Sequence, residues 1–215
     1  MGFYSNYIFP RILDWSLGNA LMREQRREAL TRMTKLRGHV LEIGFGTGLN
    51  LAFYPDEVTR LTAIDNERML PGRVEKRIAE ARVPVQQRQL DAGGRLPFEE
   101  GSFDGVVTTF TLCSILDVSA ALVEIGRVLA PGGEYVFLEH GRSDDPRIAK
   151  RQDFFNPIQK LIACGCNMNR PIDTLVRDAG LQITQLHRYD LPDTPRVLGH
   201  LYRGVAKKQP GTEGE

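Results

Sequence analysis

The chain has 215 residues, 41% hydrophobic and 26% charged, with a formal net charge of +1. That length fits one domain with a sizeable core, and the near-neutral balance gives no global pull toward nucleic acid, so RNA and DNA are excluded as expected partners. Three cysteines, Cys113, Cys164 and Cys166, cannot all pair. With no charged-then-apolar leader in view, a reducing, cytoplasmic compartment is expected.

In chain order, residues 3–18 concentrate aromatic and aliphatic side chains. Residues 20–37 read as a basic helix with an apolar stripe of Leu21, Ala29, Leu30, Met33 and Leu36, stopped by Gly38. Its arginines are expected on a solvated face, with loose contact to an anionic membrane surface as the alternative. Residues 39–43 form a strand pattern, followed by glycines at 44, 46 and 48, then a helix over 49–54 broken at Pro55. A second strand over 60–65, a charged helix over 67–82 and a third strand over 83–90 come next. The strand over 103–109 is apolar enough to be central. A helix over 118–129 is closed by Pro131-Gly132-Gly133, and the strand over 134–139 follows. Residues 142–163 are amphipathic after a polar entrance, and residues 172–179 form the last helix. The strands over 181–189 and 201–206 make a terminal hairpin around LPDTP.

The glycine run separates two cofactor classes. A dinucleotide turn reads G-x-G-x-x-G, and Leu49 occupies the place of its third glycine. The pattern here is E-x-G-x-G-x-G. Glu42 brings a carboxylate toward the ligand, which disfavours a pyrophosphate and favours a cation or ammonium group, as S-adenosylmethionine would present. Asp65, 21 residues beyond Gly44 on the tip of the next strand, is placed to accept both ribose hydroxyls. The fourth strand delivers Thr109, Phe110, Thr111, Leu112 and Cys113 to the crevice where ligands of open α/β sheets gather. His140 ends the fifth strand and is the candidate general base, with a wall histidine as the equal alternative; Glu139 carries the same even odds. Cys164-Gly-Cys166 has the wrong count for a structural zinc site without partners nearby, so no metal is expected.

These stretches, LEIGFGTG (41–48), AIDNE (63–67), LDA (90–92), SFDGVVTTFTLCSI (102–115) and EIGRVLAPGGEYVFLEH (124–140), resemble the class I S-adenosylmethionine-dependent methyltransferases over roughly residues 36–206. GCN at 165–167 and the HLYRGVAKK ending are similar to a methyltransferase-like group that includes animal alkyl thiol methyltransferases. The resemblance implies an α/β, Rossmann-like seven-stranded mostly parallel sheet with helices on both faces and the last strand antiparallel. It divides the chain into an N-terminal helical cap (1–38), a core (39–206) and a flexible tail (207–215). It implies that Glu42, Gly44, Gly46, Thr47, Gly48, Asp65, Asn66 and Thr109 surround the cofactor and that Asp91 and Ala92 meet its adenine. It also implies that the segment before the first strand closes one wall of the substrate pocket, with Tyr4 and Tyr7 as candidates beside Phe110, Cys113 and Glu139. Animal members are expected to carry an N-terminal membrane anchor, and this sequence, with no apolar run of ~20 residues, departs from them there.

No N/D-P-P-Y/F motif follows the fourth strand, which argues against nucleobase or glutamine amide methylation. A weakly polar crevice favours a small or lipophilic acceptor. A thiol, partly ionised near neutral pH, is placed ahead of amines, phospholipids and quinone-type C- or O-acceptors. A noncatalytic S-adenosylmethionine-binding module is the reading from a different class. The oligomeric state is not legible.

Overall fold

The computed structural model describes residues 3–208. Strands β1 (Gly38–Ile43), β2 (Val58–Asp65), β3 (Val85–Gln89), β4 (Phe103–Thr109), β5 (Leu129–His140), β6 (Leu181–Asp190) and β7 (His200–Lys208) form one sheet in the order β3-β2-β1-β4-β5-β7-β6. Every pairing is parallel except those of β7, which runs antiparallel to both β5 and β6. The expected Rossmann-like architecture is therefore present. The strand order reverses between β1 and β4, and the crevice at such a switch point is where open α/β sheets take ligands.

Side-chain alternation along the central strands builds a core on each face. Leu41, Val106, Tyr135 and Phe137 point into one, with Leu122 and Ile125 of α4 (Val118–Val128) and Val176 of α6 (Ile172–Asp178). Val40, Val107, Val136 and Leu138 point into the other, with Met22 of α2 (Ala20–Arg27) and Val74 of α3 (Pro71–Ala79). Side-chain caps set the helix starts. Asn19 accepts from the Met22 amide, Asp117 from Ala120 and Asp145 from Arg147 at the head of α5 (Pro146–Ile162).

The differences from the expected elements have local causes. The 20–37 helix gives way after α2 to a single π-helical turn (Glu28–Arg32), because the Thr34 hydroxyl and the Lys35 amide both donate to the Glu134 carboxylate and draw the chain out extended. Gly38 opens β1 rather than only ending a helix. It has φ +64°, and a Cβ there would lie 2.2 Å from the Asp104 carboxylate that receives the His39 amide. The helix expected over 49–54 is only a 3-10 turn (Leu51–Phe53), since Asn50 is tied sideways to Glu42 and Thr109. β5 begins five residues early, with its partner register jumping from Leu129 to Glu134 across a Pro131-Gly132-Gly133 bulge. Within the hairpin loop Arg196–Gly199 form a short helix, α7. Lys207 and Lys208, expected in the tail, belong to β7 and pair with Glu134 and Glu100; residues 209–215 lie outside the described residues.

β7 threads between β5 and β6 at Gly204 because nothing larger fits: an added Cβ would sit 2.3 Å from the Phe137 ring and 2.8 Å from the Gln185 carbonyl oxygen. Gly204→Ala is therefore expected to lower stability by about 1–3 kcal/mol, the usual range for overpacking a filled core. Urea denaturation reads this, and an unchanged midpoint would mean that Phe137 has somewhere to go.

Candidate active site

A cavity of about 750 Å³ opens at the carboxyl ends of β1, β2, β4 and β5, within the ~300–1,000 Å³ typical of small-molecule sites. It begins at the glycine bend. Gly44, Gly46 and Gly48 have φ of +77°, +55° and +78°, a region that costs L-residues with a Cβ. At Gly44 a Cβ would also strike the Thr111 hydroxyl, 1.9 Å away, whereas Gly46 has only its own loop's backbone within 4 Å and leaves bare main chain facing the void. Gly48 does not reach the cavity; its missing Cβ makes room for the Phe45 ring.

Asp65 holds this bend. Its Oδ2 accepts from the Gly46 amide at 2.7 Å and its Oδ1 from the Glu67 amide at 3.1 Å, and burial raises its pKa against those bonds. Each carboxylate oxygen can accept twice, so capacity remains toward the cavity. Asn66, Asp91 and Ala92 complete this polar side. Asp91 also caps its own turn by accepting from Gly93.

Glu42 lines the cavity but is already engaged. It receives Asn50 Nδ2 at 2.8 Å and the Tyr54 hydroxyl at 2.7 Å, and burial drives its pKa up to about 7 despite those donors and nearby Arg26. Arg26, expected on a solvated face, is instead 2% exposed. It donates to Asn50 Oδ1 and to the Leu17 and Met22 carbonyls, and it lies over the Phe110 ring. Desolvation lowers its pKa to about 10, with Glu42 opposing.

The other side is apolar and sulfur-rich. Phe110, which holds a left-handed φ of +53°, Cys113, His140 and Cys166 line it below Ile12, Leu13 and Leu198. His140 is buried, with Nε2 3.5 Å from Cys166 Sγ. Burial pushes its pKa down, and the Cys113 sulfur and Glu139 carboxylate bring it back above the ordinary imidazole value. Glu139 is fully buried behind the wall, where it accepts from the Thr111 amide and so shapes the 110–112 bend. Burial lifts its pKa to about 7 against those backbone donors. Of the expected site residues, Glu42, Gly44, Gly46, Thr47, Asp65, Asn66, Asp91, Ala92, Thr109, Phe110, Cys113 and His140 line the cavity. Gly48, Glu139, Tyr4 and Tyr7 do not. Tyr4 and Tyr7 are exposed, Tyr4 donating to the Ile162 carbonyl, and Phe9, Ile12 and Leu13 one to two turns further along form the wall instead.

Residues 41–137 match the family described as a methyltransferase domain. Human thiol S-methyltransferase TMT1A is 34% identical over 88% of this chain and 81% of its own length. A phosphatidylethanolamine N-methyltransferase from Cereibacter sphaeroides is 29% identical over 89% of each. The chain belongs to the class I S-adenosylmethionine-dependent methyltransferases. Among solved structures the methyltransferase fold recurs at 19% identity in N-methyltransferase NodS from Bradyrhizobium japonicum, in complex with S-adenosylhomocysteine, with a TM-score of 0.66 over 91% of this chain and 92% of that one. As a methyltransferase the chain uses S-adenosylmethionine, and the open Gly46 backbone beside the spare acceptor capacity of Asp65 fits that cofactor.

Sequence reasoning missed the methyltransferase's roof. Asp14, a lone acid in an apolar segment, is 5% exposed. It receives the Thr47 hydroxyl at 2.5 Å, Arg77 at 2.6 Å and Arg73, and Arg77 also donates to the Thr47 carbonyl. This ties α1 (Phe9–Leu17) to the glycine bend. Arg26 could have been found by its spacing, since it falls one turn from Met22 and Leu30 on the buried stripe; Asp14 carried no such periodicity. Burial raises the Asp14 pKa, but Arg77, Thr47 and Arg73 outweigh it and hold the carboxyl at about 2. Because this folded value lies below the unfolded one of about 3.9, the stabilisation is whole above pH ~4 and is lost as pH falls toward 2. Asp14→Asn should therefore cost about 1.5–3 kcal/mol at pH 7, with the gap to the parent protein closing in acid. Chemical denaturation at stepped pH measures it, and a pH-independent gap would mean the charge is not what matters.

Proposed function

We propose that this methyltransferase S-methylates small or lipophilic thiols. The observation that carries the reading is the division of one cavity: a polar side of bare backbone and acids at the β1–β3 strand ends, and an apolar, sulfur-lined side at β4 and β5. The similarity to human thiol S-methyltransferases supports the acceptor class. S-adenosylmethionine supplies an electrophilic methyl on a sulfonium. Asp65 accepts the ribose hydroxyls, Gly44 to Thr47 cradle the amino-acid end, and Asp91 with the Ala92 amide addresses adenine. Glu42, in the cavity wall, holds Asn50 and Tyr54 in place. Phe110, Ile12 and Leu13 exclude water from the acceptor and align it for in-line attack, where positioning carries most of the acceleration. A thiol needs little help from a base, being partly ionised already.

Asp65→Ala is expected to weaken S-adenosylhomocysteine binding at least about tenfold, the loss of charge-assisted bonds to two hydroxyls. Asp65→Asn, which keeps an acceptor for the Gly46 amide, should fall between the two. Calorimetry decides, and unchanged affinity in both variants would sink the assignment.

Lipid N-methylation is the second reading. It is favoured by exposed apolar side chains on two helices that contribute to the cavity wall, Ile12 and Trp15 from α1 and Phe154, Ile158 and Leu161 from α5, and by the phosphatidylethanolamine relative. With labelled S-adenosylmethionine offered an alkyl thiol and phosphatidylethanolamine vesicles in parallel, label is expected in the thioether. Label confined to the lipid would replace the first reading with the second.

A further inference from the structure

Cys113, His140 and Cys166 come from three separate segments, the turn after β4, the end of β5 and the loop after α5, yet their donor atoms lie within 4.8 Å of one another and all three are buried. The loop carrying Cys166 is stapled to the one carrying Cys113: the Asn167 amide and its side-chain Nδ2 both donate to the Cys113 carbonyl, at 2.8 and 2.9 Å. Met168 N donates to Asn156 Oδ1 at 2.9 Å and anchors the same loop to α5. The Cys166 Sγ to His140 Nε2 distance is 3.5 Å. A tetrahedral zinc ion with Zn–S near 2.3 Å and Zn–N near 2.0 Å has S···N edges of roughly 3.5 Å. All three residues line the cavity.

We propose that Cys113, His140 and Cys166 form a three-ligand zinc site in the wall of the acceptor side of the cavity, with the fourth coordination position open to a ligand. Two thiolates and an imidazole are the donor set of an open zinc site, and soft sulfur ligands disfavour magnesium or calcium. Cys164 also lines the cavity but is exposed and lies outside this three-residue group. Resting on the thiol reading above, the fourth ligand is the acceptor itself. Its S–H proton leaves to solvent as the zinc–sulfur bond forms, since coordination deprotonates a thiol outright. The bound sulfur then takes the methyl as the methyl–sulfonium bond breaks. The neutral thioether is a weaker ligand than the thiolate and departs together with S-adenosylhomocysteine.

The test uses the whole chain, reduced and stripped of metal, titrated with Co²⁺ and then with Zn²⁺. Saturation at one Co²⁺ per chain is expected, with a thiolate-to-cobalt charge-transfer band and tetrahedral visible bands, both erased by one equivalent of Zn²⁺. Cys113→Ser and Cys166→Ser should each weaken Zn²⁺ binding at least about tenfold, while Cys164→Ser keeps the cobalt spectrum; circular dichroism confirms that each variant is folded. No charge-transfer band with all thiols reduced, or a band unchanged in the Cys113→Ser and Cys166→Ser proteins, overturns the site. The two proposals fail separately. Metal bound in this way with transfer only to amines leaves the site standing and removes the thiol reading, whereas thiol methylation unaffected by chelation, with no cobalt band, removes the site alone.

Discussion

The hydrogen bond from the Gly46 amide to Asp65 is the contact on which the shape of the cavity's polar side depends. It closes a bend in which three residues hold positive φ, and it joins the tips of β1 and β2 beside the point between β1 and β4 where the strand order reverses. The Ile64 carbonyl assists by accepting from both the Gly44 and Phe45 amides. A bend of this kind turns main-chain groups toward a ligand without side chains between. Everything else around the cavity fixes the distance of some other wall from that bend.

Two buried glutamates do much of the fixing. Glu42 in β1 spreads its oxygens between Asn50 and Tyr54, and Glu139 in β5 spends both on the Thr111 amide. Burial pushes both toward about 7. Above that pH each carries a desolvated charge, a cost the fold tolerates because the donors are preplaced. The left-handed Phe110 lies between these posts, bonded through its amide to the Leu138 carbonyl. Strained backbone at such a point persists only where its surroundings over-determine it, and here Arg26 and Glu139 do so from two sides.

The roof is held by charge rather than by an extended apolar interface. Asp14 gathers Thr47, Arg73 and Arg77, while Arg26 joins the Leu17 carbonyl to Asn50. Ion pairs with one buried partner resist salt better than surface pairs such as Arg27 with Glu24. The N-terminal segment is thereby registered against the glycine bend and not merely laid over it.

The sequence by itself determined where the central strands and the polar side of the cavity lie, while the strand count and the antiparallel last strand came from the family resemblance. The central strands and the polar side rest on local signals: alternating or continuous apolar runs for β1, β2 and β4, glycines at 44, 46 and 48 for the bend, and an acid at the end of the neighbouring strand. Spacing along the chain is enough for these, because a strand of known direction delivers its last residue to a known edge. Only the tertiary structure decided the sulfur-lined side and the roof. Residues 113, 140 and 166 meet because two strand ends and a loop after a helix converge, and Asp14 reaches Thr47 across 33 residues. Glu139 and His140, adjacent in sequence, part company because successive strand residues face opposite ways, one into the loop behind the wall and the other into the cavity. Such meetings depend on how helices settle over the sheet, and no periodicity within a single segment records that.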